Sequence, residues 1–86
     1  MKRNYADPAY KKFRTEVLKR DGFCCQMCKS KKRLNVHHII KWSSAASLRY
    51  DTSNGITLCY SCHKSISGSE SVYISYFNEI VRRNSK

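Results

Sequence analysis

Asn54-Gly55-Ile56-Thr57-Leu58-Cys59-Tyr60-Ser61-Cys62-His63 is the stretch that decides the fold of this chain. Asn54-Gly55 is a hairpin-type turn signal. Ile56–Leu58 reads as a short strand, and a short helix is expected from Cys59 to about Ile66. Cys59-x-x-Cys62 is a metal-type knuckle, and its counterpart is Cys25-Gln26-Met27-Cys28, with a 30-residue insert between Cys28 and Cys59. Cys25, Cys28, Cys59 and Cys62 satisfy a closed, tetrahedral structural zinc site by themselves, which would staple two distant segments. The three histidines of the chain, His37, His38 and His63, are then left for different work.

Outward from that stretch, Leu34–Ile40 is the strand candidate that pairs with Ile56–Leu58, and Lys41–Ser53 is polar, small and expected to be a loop. Residues 1–6 look like a basic arm. Asp7-Pro8 starts a helix, with Asp at the N-cap and Pro in the first turn. Tyr10, Phe13 and Val17 recur at helical intervals to about Arg20, with Lys11, Lys12, Arg14 and Lys19 between them, and Asp21-Gly22 ends the helix. A basic loop, Lys29–Arg33, follows the first knuckle. Ser67-Gly68-Ser69-Glu70 breaks the second helix and offers Ser67 with Glu70 as a capping box. A last helix is expected over 70–83, with Tyr73, Phe77, Ile80 and Val81 on one side. With Tyr76, that helix either covers the core or pairs two protomers. The expected architecture is α+β: one domain over 1–86, a central β-hairpin plus helix stapled by a four-cysteine zinc site, flanked by an N-terminal and a C-terminal helix.

A chain of 86 residues has a marginal core without added fastening. A structural zinc site contributes roughly 10–16 kcal/mol of binding energy that becomes folding energy. Disulfides are the rival use of the thiols. No secretory leader pattern precedes them, the count of five is odd, and x-x spacing favours metal. Cys24 is the odd thiol, expected as a small buried spectator or a competitor of Cys25. No apolar run approaches the ~20 residues of a membrane span. Lys and Arg number 17 against 6 Asp and Glu, a formal +11. Four thiolates and one Zn²⁺ together carry about −2, which leaves roughly +9. So one-sided a field attracts polyanions.

The histidines carry a geometric constraint. Adjacent residues on a regular strand point to opposite faces, so His37 and His38 serve one site only if the strand ends, twists or bulges there. Otherwise only one of them is in the site. Asn54 has a local explanation as a turn residue that tolerates positive φ. Its side chain is also placed to tie the long loop to the strand carrying the histidines.

Taken together, Val36-His37-His38-Ile39-Ile40 and Asn54 through His63, with Arg20-Asp21-Gly22-Phe23 leading into Cys25-x-x-Cys28, resemble the HNH endonucleases of the zinc-stapled ββα-metal type. The resemblance covers roughly residues 10–66 and leaves out the last helix. It implies a ββα-metal core and metal-dependent hydrolysis of DNA, by nicking or double-strand cutting with weak sequence preference. His37 and His63 would be ligands of a catalytic divalent ion, His38 the general base, and Asn54 the residue holding the loop that orients His38. Phosphodiester hydrolysis needs an activated water and a counter-charge for the phosphorane and the leaving 3′ oxygen. An imidazole can accept the water's proton near neutral pH, and the products would carry 5′-phosphate and 3′-hydroxyl ends. Some relatives have a further histidine one turn after His63, where this chain reads Lys64-Ser65-Ile66-Ser67-Gly68. With two nitrogen ligands the ion is expected to be Mn²⁺, Ni²⁺ or Co²⁺ rather than Mg²⁺.

Lys31, Lys32, Arg33, Lys41, Arg49 and Lys64 are the phosphate-contact candidates by proximity to the motif, and Trp42 and Arg49 the candidates for entering a groove. Such contacts give salt-sensitive affinity and little base specificity. The expected partner is double-stranded DNA, with no membrane. One site cuts one strand at a time, so double-strand cutting calls for a homodimer or two successive nicks. Small proteins of this type are common in phages and bacterial defence loci, which points to the bacterial cytoplasm and to packaging or defence partners. Two rival classes remain: a catalytically silent zinc-ribbon nucleic-acid-binding module with packed histidines, and a disulfide-linked secreted toxin. Tolerance of His38→Ala marks the first, and lack of zinc under reducing conditions the second.

Overall fold

A computed structural model describes residues 7–40 and 50–85 of the chain. The expected basic arm, most of the long loop and the candidates Lys41, Trp42 and Arg49 lie outside the described residues. Helix α1 spans Pro8–Arg20. Asp7 caps it, its Oδ1 accepting from the Ala9 N–H at 2.9 Å, and Pro8 occupies the first turn, where no N–H is needed. The helix stops in a Schellman arrangement: the Phe23 N–H bonds the Leu18 carbonyl at 2.9 Å and the Gly22 N–H the Lys19 carbonyl at 3.1 Å. Gly22 sits at φ 72°, a conformation that costs glycine little.

Strand β1 (Leu34–His38) pairs antiparallel with β2 (Gly55–Cys59), in a register that sets Leu34 opposite Cys59 and His38 opposite Gly55. Helix α2 (Tyr60–Ser65) follows β2 directly, and α3 (Ile74–Asn84) continues from a 3-10 turn over Glu70–Tyr73. No helix among the described residues is long and apolar enough to cross a membrane. The architecture is the expected α+β one, a two-stranded sheet with flanking helices.

The sheet is covered on both faces. Tyr10, Phe13, Val17 and Leu18 of α1 pack with Val36 on one side. On the other, Ile56 and Leu58 of β2 join Ile39, Ile66 and Phe77, Ile80 and Val81 of α3. The last helix thus buries its apolar side in the chain's own core. At 86 residues neither half is large, and a fold of this size gains from a staple.

Two local expectations fail. Asn54-Gly55 is not the hairpin turn. Asn54 closes a 3-10 turn, Thr52–Asn54, that Asp51 caps through the Ser53 N–H at 2.9 Å. Gly55, at φ −117° and ψ 144°, is already in β2. Its small size serves packing: a Cβ there would lie 2.8 Å from Phe13 Cζ and 2.9 Å from Val17 Cγ2. Nor do Ser67 and Glu70 form a capping box. Glu70 Oε1 accepts from the Gly68 N–H at 3.0 Å, and Ser69 precedes the turn without a side-chain cap.

A buried polar network joins the pieces. Arg20 lays its guanidinium on Asp21 through Nε–Oδ1 at 2.9 Å and Nη2–Oδ2 at 3.0 Å. It also donates to the carbonyls of Thr52 and Gly55, both at 2.7 Å. Asp21 accepts from the Thr57 N–H at 2.9 Å and from Asn84 Nδ2 at 3.0 Å. Burial works against the Asp21 charge, but Arg20, Asn84 and the Thr57 amide outweigh it and hold the carboxyl below its ordinary range. One carboxylate thereby ties α1, β2 and the end of α3 together.

Candidate metal centre and nucleic-acid groove

The thiols of Cys25, Cys28, Cys59 and Cys62 all lie within 4.8 Å of one another, with Cys28 Sγ and Cys59 Sγ 3.5 Å apart. Tetrahedral zinc with bonds near 2.3 Å separates its sulfurs by about 3.8 Å, so this donor set fits zinc. Each knuckle aims backbone N–H groups at a sulfur. Met27 and Cys28 donate to Cys25 Sγ at 3.4 and 3.5 Å, and Cys62 donates to Cys59 Sγ at 3.5 Å. Lys29 turns the first knuckle back at φ 68°, its N–H on the Cys25 carbonyl at 2.9 Å. The Gln26 N–H docks that knuckle on the Thr57 carbonyl of β2 at 3.0 Å.

Burial opposes ionisation of Cys25, yet the backbone amides around its sulfur bring the thiol down to about 6. Burial, and then the three neighbouring sulfurs, push Cys62 up. A dication held among the four sulfurs would supply the counter-charge that lets all of them ionise. Cys24 stands outside the cluster, its Sγ on the Asp21 carbonyl at 3.4 Å.

The two adjacent histidines diverge as period-two alternation requires. His37 turns to the α2–α3 side, its ring centre 5.3 Å from that of His63 and 5.5 Å from that of Phe77. His38 turns to the α1 side, 4% exposed, stacked on Phe13 at 5.2 Å and 19°. His37 and His63 are therefore brought together from β1 and α2, while His38 is on the other face of the strand. An imidazole nitrogen about 2.1 Å from an ion puts its ring centre about 3.2 Å from that ion. Two such rings at roughly 90–110° are about 4.5–5.3 Å apart, a range whose upper end the 5.3 Å between His37 and His63 meets.

Asn54 grips the chain just beyond His38. Its Oδ1 accepts from the Ile40 N–H at 2.8 Å and its Nδ2 donates to the Ile40 carbonyl at 3.1 Å, while its own carbonyl accepts from the Ile39 N–H at 2.8 Å. This double clamp fixes the end of β1.

A groove of about 600 Å³ opens beside His63. Its walls include Lys11 and Arg14 of α1, Asn35 of β1, and Tyr60 and His63 of α2. Of the sequence-based phosphate candidates, none lines this groove among the described residues; Arg33 comes nearest to it through Tyr60, its guanidinium 4.8 Å from the centre of that ring. Lys64 is exposed on α2, and Lys31 and Lys32 are exposed on the loop before β1. Sequence reasoning missed Lys11 and Arg14 as site residues. Their i, i+3 spacing put them on one helical face, but nothing local says that this face looks across to β1 and α2.

Residues 25–68, just over half of the chain, match the family model described as HNH endonuclease. No curated protein and no solved structure matches the chain. The matched span begins at the first zinc-type cysteine and contains every histidine.

Proposed function

The chain belongs to the HNH endonuclease family, and from that premise we propose that it is a metal-dependent DNA endonuclease with His38 as general base and a divalent ion held by His37 and His63. The observation that carries this reading is the approach of those two imidazoles to 5.3 Å from separate elements, beside a basic groove. Bound there, a divalent ion would stabilise charge on the phosphorane and the leaving 3′ oxygen of a DNA strand. His38 takes the proton of the attacking water, and its stacking on Phe13 holds the ring plane while the nitrogens stay at the ring edge. For one phosphate to meet both His38 and the His37–His63 pair, it must lie at the end of β1. Strand pairing stops there at His38–Gly55, and Asn54 clamps Ile40. Asn54 thus acts through His38, as a positioning residue. The products are 5′-phosphate and 3′-hydroxyl ends, with little dependence on sequence, since the candidate contacts are cations suited to phosphates. Mn²⁺, Ni²⁺ or Co²⁺ suits two imidazole ligands better than Mg²⁺.

A second reading rests on one observation: His38 is 4% exposed and packed on Phe13, as a core histidine would be. In that case the chain is a catalytically silent zinc-ribbon module that binds nucleic acid. His38→Ala separates the two. The nuclease reading expects turnover to fall by about 10²–10⁴-fold, the usual worth of a general base, with DNA affinity retained. Cleavage that survives the substitution unchanged removes His38 from the mechanism.

A further inference from the structure

The groove between α1, β1 and α2 has a feature that the histidine motif does not account for. Arg14 is half-buried in its wall, with Nη2 donating to the Leu34 carbonyl at 3.4 Å. It makes no ion pair among the described residues. A guanidinium carries five N–H donors in a planar fork, so one tether leaves the rest of the fork for an anion. Lys11, one turn before Arg14 and exposed, lines the same groove, and no carboxylate is among the lining residues. His63 belongs to both the groove and the pair with His37, so whatever occupies the groove is led to the proposed ion site. At the α2 end, Tyr60 is 46% exposed with Arg33 over its ring at 4.8 Å, a further cation beside the same path.

We propose that this groove carries the sugar-phosphate backbone of the DNA strand to be cut on its way to the end of β1, with Arg14 as the anchor that holds a phosphate on the approach to His63 and Lys11 as a second phosphate contact. The assignment of the cut strand rests on the nuclease reading, whereas the assignment of a DNA backbone to the groove does not. The tether matters because an arginine already held by one hydrogen bond loses less freedom when its fork closes on a phosphate. Lysine at position 14 would keep the charge and lose the fork.

The test reads binding and cutting separately. Affinity of the full, zinc-loaded chain for a fluorescein-labelled mixed-sequence duplex is followed by anisotropy over a range of KCl without added catalytic ion. The wild type is compared with Arg14→Gln, Lys11→Gln and Arg83→Gln. Arg83 lines a different cavity, beside Met27 and Lys29 of the first knuckle. The expected result is a slope of log Kd against log salt that falls by about 1 for Arg14→Gln and for Lys11→Gln. Arg83→Gln keeps the wild-type slope. Lys11 is exposed, so Lys11→Gln reads the groove even if Arg14→Gln loosens α1. Unchanged slopes in both groove variants overturn the proposal, whether or not the protein cuts. If the slopes fall as expected but no divalent ion supports cleavage by the wild type, the groove stands as a DNA site and the nuclease reading fails. Where cleavage is present, kcat at saturating DNA drops in Arg14→Gln and is only partly restored by Arg14→Lys, while Mn²⁺ affinity is unchanged. Full restoration by lysine would overturn the positioning role and leave only a charge.

Discussion

Replacing Asp21 by alanine should be among the most damaging single changes in this molecule that leave the four-cysteine cluster intact. Its side chain is wholly buried and accepts from Arg20 twice, from the Thr57 N–H and from Asn84. Without the carboxylate, the Arg20 guanidinium keeps the carbonyls of Thr52 and Gly55 but loses its counter-ion while only 13% exposed. Breaking a buried ion pair by removing one partner costs about 3–5 kcal/mol. At about 0.05–0.15 kcal/mol per residue a chain of this size has a total stability of roughly 4–13 kcal/mol, so the loss takes a large share of it. The folded carboxyl is held below its ordinary value, so its contribution is present above that value and lost only as the pH falls through the lowered one. At neutral pH the full effect is therefore on view. Urea denaturation at pH 7 with zinc in excess is the assay, and an m-value of about 1.5 kcal/mol/M turns the loss into a midpoint lowered by roughly 2–3 M. Asp21→Asn keeps an acceptor for Thr57 but not the charge, and should fall between. A loss below about 1 kcal/mol in Asp21→Ala would show that the network is not what joins α1, β2 and α3.

Gly55→Ala should cost about 1–3 kcal/mol in the same assay, because the new methyl meets Phe13 and Val17 rather than because of the backbone; a neutral result would mean that α1 sits further from β2. Cys59→Ser should abolish zinc binding, read as metal content after gel filtration under reducing conditions, with loss of the cooperative melt. Retained stoichiometric zinc would contradict the assignment of all four thiols to one ion. Chelator treatment of the wild type should likewise unfold the chain, and more readily at lower pH, since protons compete for the thiolates; a melt indifferent to chelator would point away from a structural metal. Mn²⁺ or Ni²⁺ should support cleavage better than Mg²⁺, and His63→Ala should weaken Mn²⁺ affinity measured by calorimetry on the zinc-loaded protein. A clear Mg²⁺ preference would argue against a two-imidazole site.

What could be read from the residues alone, and what could not, divides along local and non-local physics. Helix α1 was legible because its cap, its proline and its apolar spacing are all properties of neighbouring residues. The cysteine set was legible because the chemistry of zinc demands that donor type at that spacing. The opposite facing of His37 and His38 follows from strand alternation. Asn54-Gly55 misleads only as a turn signal: the Asn54 side chain does reach the end of the strand carrying the histidines, at Ile40, whereas the room Gly55 makes for Phe13 depends on distant packing. Asp21 likewise reads as a helix terminator, and only the approach of Thr57 and Asn84 makes it a buried hub. Lys11 and Arg14 look like solvated helix charges until α1 is docked against β1 and α2.

The most direct test of the account is conversion of supercoiled plasmid by the purified, zinc-loaded chain with added Mn²⁺, beside samples without added ion and with EDTA. The account predicts open-circular or linear DNA only where the divalent ion is present. Intact supercoiled plasmid with Mn²⁺, Ni²⁺, Co²⁺ and Mg²⁺ alike, from protein that still binds DNA, would contradict it.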